Sequence, residues 1–422
     1  MLTRRTLLQA TAATAAAAGL GMPAFAKASK IKIGYVTPQS GPLSAFAQAD
    51  TYVVSRFLEA AKGMGLDVEV VVKDSQSNPN RAAEVAKELI SRDEVNLILV
   101  ASTPETTNPV CSVAEAEEIP VISSVAPWQP WFIGQQGNPL DAASWKPFDF
   151  VYHFFWGLED NVSVFLNMWN SLDTNKQVGA LWPNDGDGNA WASDVGLPPA
   201  LTKAGYKLTD SGRYQNLTDD FSAQINAFKQ ANCEIMTGIP IPPDFTTFWT
   251  QAAQQGFKPK VASIAKALLF PESIHALGDL GHNLTAEIYW SPKFPFKSSL
   301  TGESCEDLAA GFTAAAKRQW TQPVGFTHAL FEIAADVLKR ASDPTDSEAL
   351  VESIAATKLD TVVGNIGWGK DNVPPFARKN VAKTPLVGGQ WRRKGDGSFD
   401  LVIVENANAP EIPLGGKLEA LN

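Results

Sequence analysis

Val68-Glu69-Val70-Val71-Val72-Lys73, then Asn80-Arg81-Ala82-Ala83-Glu84-Val85-Ala86-Lys87-Glu88-Leu89-Ile90-Ser91-Arg92, then Asn96-Leu97-Ile98-Leu99-Val100 decide the fold. The first block is β-branched and reads as a strand. The second places Ala82, Ala83, Val85, Ala86, Leu89 and Ile90 at helical spacing. The third is a short apolar run, again a strand. Strand, amphipathic helix and strand in close succession make a parallel βαβ unit, since a crossover helix is the usual link between parallel strands.

The same rhythm runs outward in both directions. Residues 31–35 read as a strand and 45–62 as a helix after the Gly41-Pro42 turn. A helix over 106–118 and a strand over 121–124 come next. The alternation lapses between 126 and 150, where Pro, Gly and Trp predict a long ordered loop. It resumes with a strand at 151–155, a helix at 161–170 and a strand at 178–182. Helices are expected at 191–204, 221–231 and 245–256, with strands at 234–238, 261–264 and 286–290. Three helices at 306–319, 327–341 and 347–356 precede closing strands at 388–393 and 401–405. The expected fold is α/β, with two doubly wound parallel-sheet lobes.

Composition narrows the function. The chain has 422 residues, 45% of them hydrophobic, which excludes disorder as the main state. Lys and Arg number 35 against 45 Asp and Glu, and the net charge of −10 argues against non-specific nucleic-acid binding. Cys111, Cys233 and Cys305 are too few for a disulfide scaffold, and at best leave one thiol unpaired.

The first 26 residues read as an export signal of the twin-arginine type. Thr3-Arg4-Arg5-Thr6-Leu7-Leu8 resembles that signal, residues 6–21 are uncharged and Ala-rich, and Ala24-Phe25-Ala26 suits cleavage before Lys27. The apolar part is too short for a membrane span. Residues 119–140 are also uncharged, but Pro120, Pro127, Pro130 and Pro139 forbid a spanning helix. A soluble protein in an oxidising compartment is expected.

In open α/β sheets, ligands bind beyond the carboxyl ends of the strands. The segments after the strands are therefore the candidate site. Phe46 ends the segment after the first strand. Ser102, Thr103, Thr106 and Thr107 gather at one strand-to-helix junction, where hydroxyls and a helix N-terminus suit a carboxylate; ordinary helix capping is the competing reading. Val125, Ala126 and Trp128 come after the fourth strand. In the second lobe the matching positions are Trp182, Asp185, Ile239 and Lys266. Trp128, Trp131, Trp145 and Trp156 crowd the long loop and offer flat apolar walls.

Other motifs are weak. Asp185-Gly186-Asp187-Gly188-Asn189 opens like a calcium loop, but Ala190 and Gly196 replace its required Gly and Glu. His153, His275, His282 and His328 show no metal spacing. No P-loop, nucleophile elbow or dinucleotide fingerprint is present. Neither a metal nor a cofactor is expected, and no enzymatic activity.

Several stretches resemble the type I periplasmic solute-binding proteins of ABC importers, in particular the leucine/isoleucine/valine-binding branch. Lys32-Ile33-Gly34-Tyr35 with Ser40-Gly41-Pro42-Leu43 is similar to its opening. Asp74-Ser75-Gln76-Ser77-Asn78-Pro79-Asn80-Arg81-Ala82-Ala83-Glu84 and Leu89-Ile90-Ser91-Arg92-Asp93 resemble it most specifically. Thr361-Val362-Val363-Gly364-Asn365-Ile366 and Gly389-Gln390-Trp391-Arg392 resemble its C-terminal signatures.

The resemblance implies a periplasmic Venus-flytrap joined by three crossovers. Lobe 1 would span 27–148 and 292–372, and lobe 2 would span 149–291 and 373–422. It implies a small-molecule ligand, an amino acid or an aromatic or aliphatic carboxylate, delivered by a monomer to ABC permease subunits. It places Phe46 and Phe326 as aromatic walls, and Ser102 to Thr107 with Val125 to Pro127 around the ligand carboxylate. Lys266 falls where amino-acid binders keep an acidic partner for the ammonium. A free lysine there repels an ammonium by about 1–4 kcal/mol, so a carboxylate with an apolar or aromatic body is expected over a plain aliphatic amino acid. A periplasmic sensing module for a membrane receptor is the second reading, and a secreted α/β enzyme the third.

Overall fold

The βαβ unit at residues 68–101 is the centre of the first lobe. In the computed structural model, which describes residues 30–194 and 196–421, β1 (Ile31–Thr37) pairs in parallel with β2 (Val68–Asp74) and β3 (Leu97–Ala101). The expected export signal lies outside the described residues. Helices α1 (Asp50–Gly63) and α2 (Pro79–Ser91) make the crossovers. α2 starts where the sequence dictates: Pro79 occupies its first turn, and Asn78 caps it by accepting from the backbone N–H of Asn80 at 2.9 Å and Arg81 at 3.1 Å. The sheet continues through α3 (Pro104–Ala116), β4 (Val121–Ser124), α4 (Trp128–Ile133) and β5 (Val151–Phe154).

The chain then crosses over at residues 155–157 into α5 (Leu158–Asn170) and the second lobe. There β6 (Gln177–Pro183), α6 (Gly186–Trp191), α7 (Leu197–Lys203), β7 (Lys207–Tyr214), α8 (Ser222–Gln230), β8 (Ile235–Gly238), α9 (Pro242–Gln254), β9 (Val261–Ile264), α10 (Pro271–Leu277) and β10 (Thr285–Ile288) build a second sheet. A return crossover leads to α11 (Cys305–Ala316), α12 (Pro323–Arg340) and α13 (Ser347–Ala355), then to the hairpin β11 (Leu359–Thr361) and β12 (Gly364–Ile366). β13 (Val381–Ala382) adds to β5 in the first sheet, and residues 383–386 lead back to β14 (Val387–Arg393) and β15 (Phe399–Glu405) in the second.

The strand orders are β13-β5-β4-β3-β1-β2 and β15-β14-β10-β9-β8-β6-β7. The first sheet is parallel throughout; in the second, β14 runs antiparallel to both of its neighbours, β10 and β15, at one edge. Each sheet reverses its direction of growth once, between β1 and β3 and between β6 and β8. A crevice opens beyond the strand ends at such switch points, so the two switch points supply the two lips of one mouth.

Sheet pairing moves two of the expected lobe boundaries. A border at 148/149 would separate β5 from β4, its hydrogen-bonded neighbour, and a border at 372/373 would detach β13. The expected helix over 191–204 is two short helices, α6 and α7, with Gly196 between them. The expected loop over 126–150 contains α4. β7 has no counterpart among the expected strands, because an edge strand written Lys-Leu-Thr-Asp-Ser-Gly-Arg-Tyr lacks the apolar run of a buried one. Cys111, Cys233 and Cys305 are buried and free. Among the described residues no helix is long and apolar enough to cross a membrane.

Candidate functional site

The segment that resembles the family most specifically is a clamp. Asp74 accepts from the Ser40 hydroxyl at 2.6 Å and from the Gln76 N–H at 2.8 Å, while Ser77 Oγ donates to the Ser40 carbonyl at 2.7 Å and accepts from Leu43 N at 3.1 Å. Gln76 and Ser77 both take a left-handed backbone, with φ of 54° each, to make this possible. The clamp fixes the loop after β1 and so aims Phe46 at the mouth.

The mouth is lined by Phe46, Thr103, Val125 and Pro127 from the first lobe, Phe155, Trp156 and Tyr289 at the crossovers, and Asp187, Ile239, Lys266, Leu269 and Glu287 from the second. The lips touch. Phe46 meets Phe270 edge-on at 4.9 Å between ring centroids, and Glu105 of α3 accepts from the Gly186 N–H across the gap. The space left inside is about 20 Å³, room for about one water. A solute therefore enters only when the lobes part.

Lobe 2 carries the charges. Lys266 stands at the end of β9 with φ 61° and ψ −60°, and the Ala267 N–H closes onto the Ala265 carbonyl at 2.6 Å. This is the rare, strained form of the three-residue turn. The turn sends the Lys266 Nζ to Asp187 Oδ2 at 2.6 Å and Asp185 Oδ2 at 3.5 Å, and its backbone N–H toward Glu287 Oε1 at 3.3 Å. Asp185 also caps α6, accepting from the Gly188 N–H at 2.7 Å. The Lys266 ammonium thus faces Asp185, Asp187 and Glu105, while its backbone N–H faces Glu287.

Burial dominates the titration of this group. Burial pushes Glu287 up to about 8. Burial, then the Asp187 and Asp185 charges, push Glu105 up to about 7. Asp187 is raised by burial against the pull of Lys266. Burial would depress Lys266, but the Asp185 and Asp187 charges outweigh it and hold the ammonium charged. Several buried polar atoms in the lining have no hydrogen-bond partner among the described residues: the carboxyl oxygens Asp187 Oδ1 and Glu287 Oε2, and Thr103 Oγ1, Trp156 Nε1 and Tyr289 OH with protons to give.

Of the residues expected at the site, Phe46, Thr103, Val125, Ile239 and Lys266 come together in the lining. Val125, a β-branched residue with φ 69°, is strained there. Ser102 and Thr106 are buried beside it with unpartnered hydroxyl oxygens, whereas Thr107 Oγ1 donates to the Ser102 carbonyl at 3.0 Å. Ala126 faces inward, its carbonyl 2.7 Å from His153 Nε2. Trp128 points away, its indole 3.2 Å from Glu159 Oε1, and Trp182 is buried in the lobe 2 core beside Trp191. Phe326 lies one layer behind the wall, edge-on to Phe155 and Tyr289 at 5.0 Å each. Asp185 holds Lys266 without lining the space. Lys266 itself is no free cation, and the expectation of an anion-attracting lysine is corrected: it is neutralised on the spot by two aspartates.

Glu287 and Asp187 are site residues that the sequence did not single out. Glu287 carries a signal, a carboxylate inside the fully buried strand Thr-Ala-Glu-Ile. Asp187 stands in the segment that resembles a calcium loop only weakly.

Two α/β lobes with facing switch points and a polar mouth between crossovers define a two-lobed solute receptor. The chain belongs to the periplasmic binding protein family, whose model matches residues 30–393. Its fold is shared with solved structures across nearly its whole length. A leucine-binding protein of Thermotoga maritima superposes with a TM-score of 0.72 at 18% identity, covering 90% of this chain and 99% of that one. A branched-chain amino acid binding protein of Streptococcus pneumoniae in complex with isoleucine gives 0.69 at 16% identity, over 89% and 99%. A solute-binding protein of Rhodopseudomonas palustris in complex with 3,4-dihydroxybenzoic acid gives 0.70 at 16% identity, over 90% and 99%. No curated protein matches the sequence.

Proposed function

We propose that this chain is the solute-capturing component of an ABC importer, exported to the periplasm by its twin-arginine signal and docking on permease subunits. Its ligand is a small solute with a protonated amine, a hydrogen-bond-accepting pole such as a carboxylate, and an apolar body. The observation that carries this is the pair of buried carboxyl oxygens without a hydrogen-bond partner among the described residues, Asp187 Oδ1 and Glu287 Oε2. Lys266 is shared between Asp185 and Asp187, so an incoming ammonium finds an open acceptor on Asp187 and a second on Glu287 once the Glu287 proton leaves. Thr103, Trp156 and Tyr289 supply donors for the other pole, and Phe46, Ile239 and Leu269 the apolar wall.

Among the structural relatives, one binds isoleucine, which has both poles, and one binds dihydroxybenzoate, which has no ammonium; the acidic pair favours the first chemistry. Closure works as a population shift, because the solute touches both lips only when they meet. The crossovers at 155–157, 289–304 and 383–386 act as the hinge. A thermal-shift panel tests the reading with L-amino acids, the matching acids lacking the amine, and the matching amines. Stabilisation by the amino acids above their deaminated partners is expected. Stabilisation by aromatic or aliphatic acids alone overturns it.

A further inference from the structure

Next to the narrow mouth lies a much larger apolar cavity, about 720 Å³, within the range of small-molecule sites. Its outer wall is the segment 126–150 that carries α4, through Pro130, Ile133, Leu140 and Trp145. Its inner wall is Ala190 of α6 in the opposite lobe. The two spaces share their partition. Thr103 lines the mouth, while the next residues, Pro104 and Glu105, line the cavity; Asp187 lines the mouth, while the preceding Gly186 lines the cavity. What separates them is the hydrogen bond from the Gly186 N–H to Glu105. Glycine at 186 permits it, since a Cβ there would lie 2.7 Å from Glu105 Oε1.

We infer that this cavity is the second compartment of the ligand site, holding an extended apolar or aromatic arm of the solute whose amine is held at Asp187 and Glu287. The inference rests on the proposed function and adds the size and shape of the ligand. Continuity is the reason: a head group in the mouth that extends past the Glu105 side chain enters the space between the segment 126–150 and α6. The cavity exists only when the lobes meet, because both contribute walls, so an arm that fills it favours the closed state.

Calorimetric titration of the full mature protein with L-phenylalanine, L-homophenylalanine and L-2-amino-5-phenylpentanoic acid tests this. Each added methylene buried in the cavity strengthens binding severalfold, about tenfold over two. Ala142→Trp, at an exposed position of the outer wall, and Ser193→Trp, on the opposite side, each fill the cavity. Both are expected to abolish the gain of the longest arm while leaving L-phenylalanine binding as it was. Equal affinity for all three arms in wild type, with no effect of either filling variant, overturns the second compartment and leaves the amine-binding mouth standing. Failure of every amino acid to bind overturns the mouth reading and the compartment together.

Discussion

Lobe 1 offers the mouth neutral groups, Phe46, Thr103 and Val125, whereas lobe 2 offers Asp187, Lys266 and Glu287. Both lips come from the same device, the strand-to-helix junction at a switch point, so topology does not set the difference. Desolvation does. A hydroxyl that leaves water loses a modest hydrogen bond, but a buried ion loses several kcal/mol unless it is paired. Lobe 2 therefore devotes structure to its charges: a strained turn at Lys266, a cap at Asp185 and a buried strand position for Glu287. Substitutions on the lobe 2 lip are expected to reach folding stability, and those on the lobe 1 lip to stay with the ligand.

The largest effect falls on Lys266. Lys266→Met leaves Asp185, Asp187 and Glu105 facing one another without a cation, and a broken buried pair of this kind destabilises by about 3–5 kcal/mol. Urea unfolding of ligand-free protein at neutral pH reads it. The deficit shrinks as pH falls, because the carboxyls then take protons. A loss within about 0.5 kcal/mol, the range of ordinary surface substitutions, would mean the two lips do not differ in the way described.

Glu287 gives the contrast a pH signature. Its proton is held in the folded state up to about 8 but leaves the unfolded chain near 4.5. The folded state thus binds more protons in that window, and stability falls as pH rises through it. Glu105, raised to about 7, adds the same sign, as do Asp50 and Glu332, raised by burial to about 7 in lobe 1. Buried His153 and His328, pushed down to about 3, act oppositely below their ordinary 6.5. The clean window is about pH 6.5 to 8, where Glu287→Gln is expected to flatten the decline without removing it. The same variant weakens binding of a stabilising amino acid by roughly ten- to a hundredfold, the worth of a charge-assisted hydrogen bond. Calorimetry in two buffers of different ionisation enthalpy is expected to show a proton released when wild type binds its amino acid. With Glu287→Gln that release is expected to vanish, because the amide has no acidic proton to give up.

The contrast also explains what was legible in the sequence. The alternation of β-branched runs with helical apolar spacing exposed both sheets, because buried parallel strands and amphipathic helices each leave a periodic trace. The junctions were legible for the same reason, and Thr103, Val125, Ile239 and Lys266, each just beyond the end of a strand, come together in the lining with Phe46 from the longer loop after β1. The partners of Lys266 were not legible. Asp187 and Glu287 lie far from it in the chain, and only the packed lobe shows that the lysine arrives already neutralised. Trp128, expected after a strand end, turns its indole to Glu159, and Phe326, which the resemblance places as a wall, packs behind Phe155 and Tyr289; residue type alone does not say which way a ring points.

On the lobe 1 lip the expected effect is smaller and confined to the ligand. Thr103→Val keeps the shape and removes the hydroxyl, whose oxygen has no partner among the described residues. Binding of the same amino acid is expected to weaken by the worth of one neutral hydrogen bond, about 0.5–1.5 kcal/mol or roughly two- to tenfold. Urea unfolding without ligand is expected to stay within about 0.5 kcal/mol of wild type. A stability loss as large as that of Lys266→Met would show that the hydroxyl serves the fold, and would erase the distinction between the lips.

A separate effect, on the balance of open and closed states, tests the one contact in which the lips exchange roles, with a lobe 1 carboxylate accepting from a lobe 2 backbone N–H. A methyl group at Gly186→Ala would meet Glu105 Oε1 at 2.7 Å, and that atom ends a flexible side chain. Glu105 therefore swings aside with little effect on the fold, and unfolding free energy is expected to hold within about 1 kcal/mol. The hydrogen bond across the gap is lost, worth about 1.5–3 kcal/mol at most for a charged acceptor. Its loss lifts the closed state relative to the open one without touching any residue that lines the mouth. Small-angle scattering of the ligand-free variant is expected to show a larger radius of gyration than wild type, converging with it once a stabilising amino acid is added. Identical curves before addition would mean that closure is held by the aromatic contact of Phe46 with Phe270 alone, and that Glu105 does no more than wall off the neighbouring cavity.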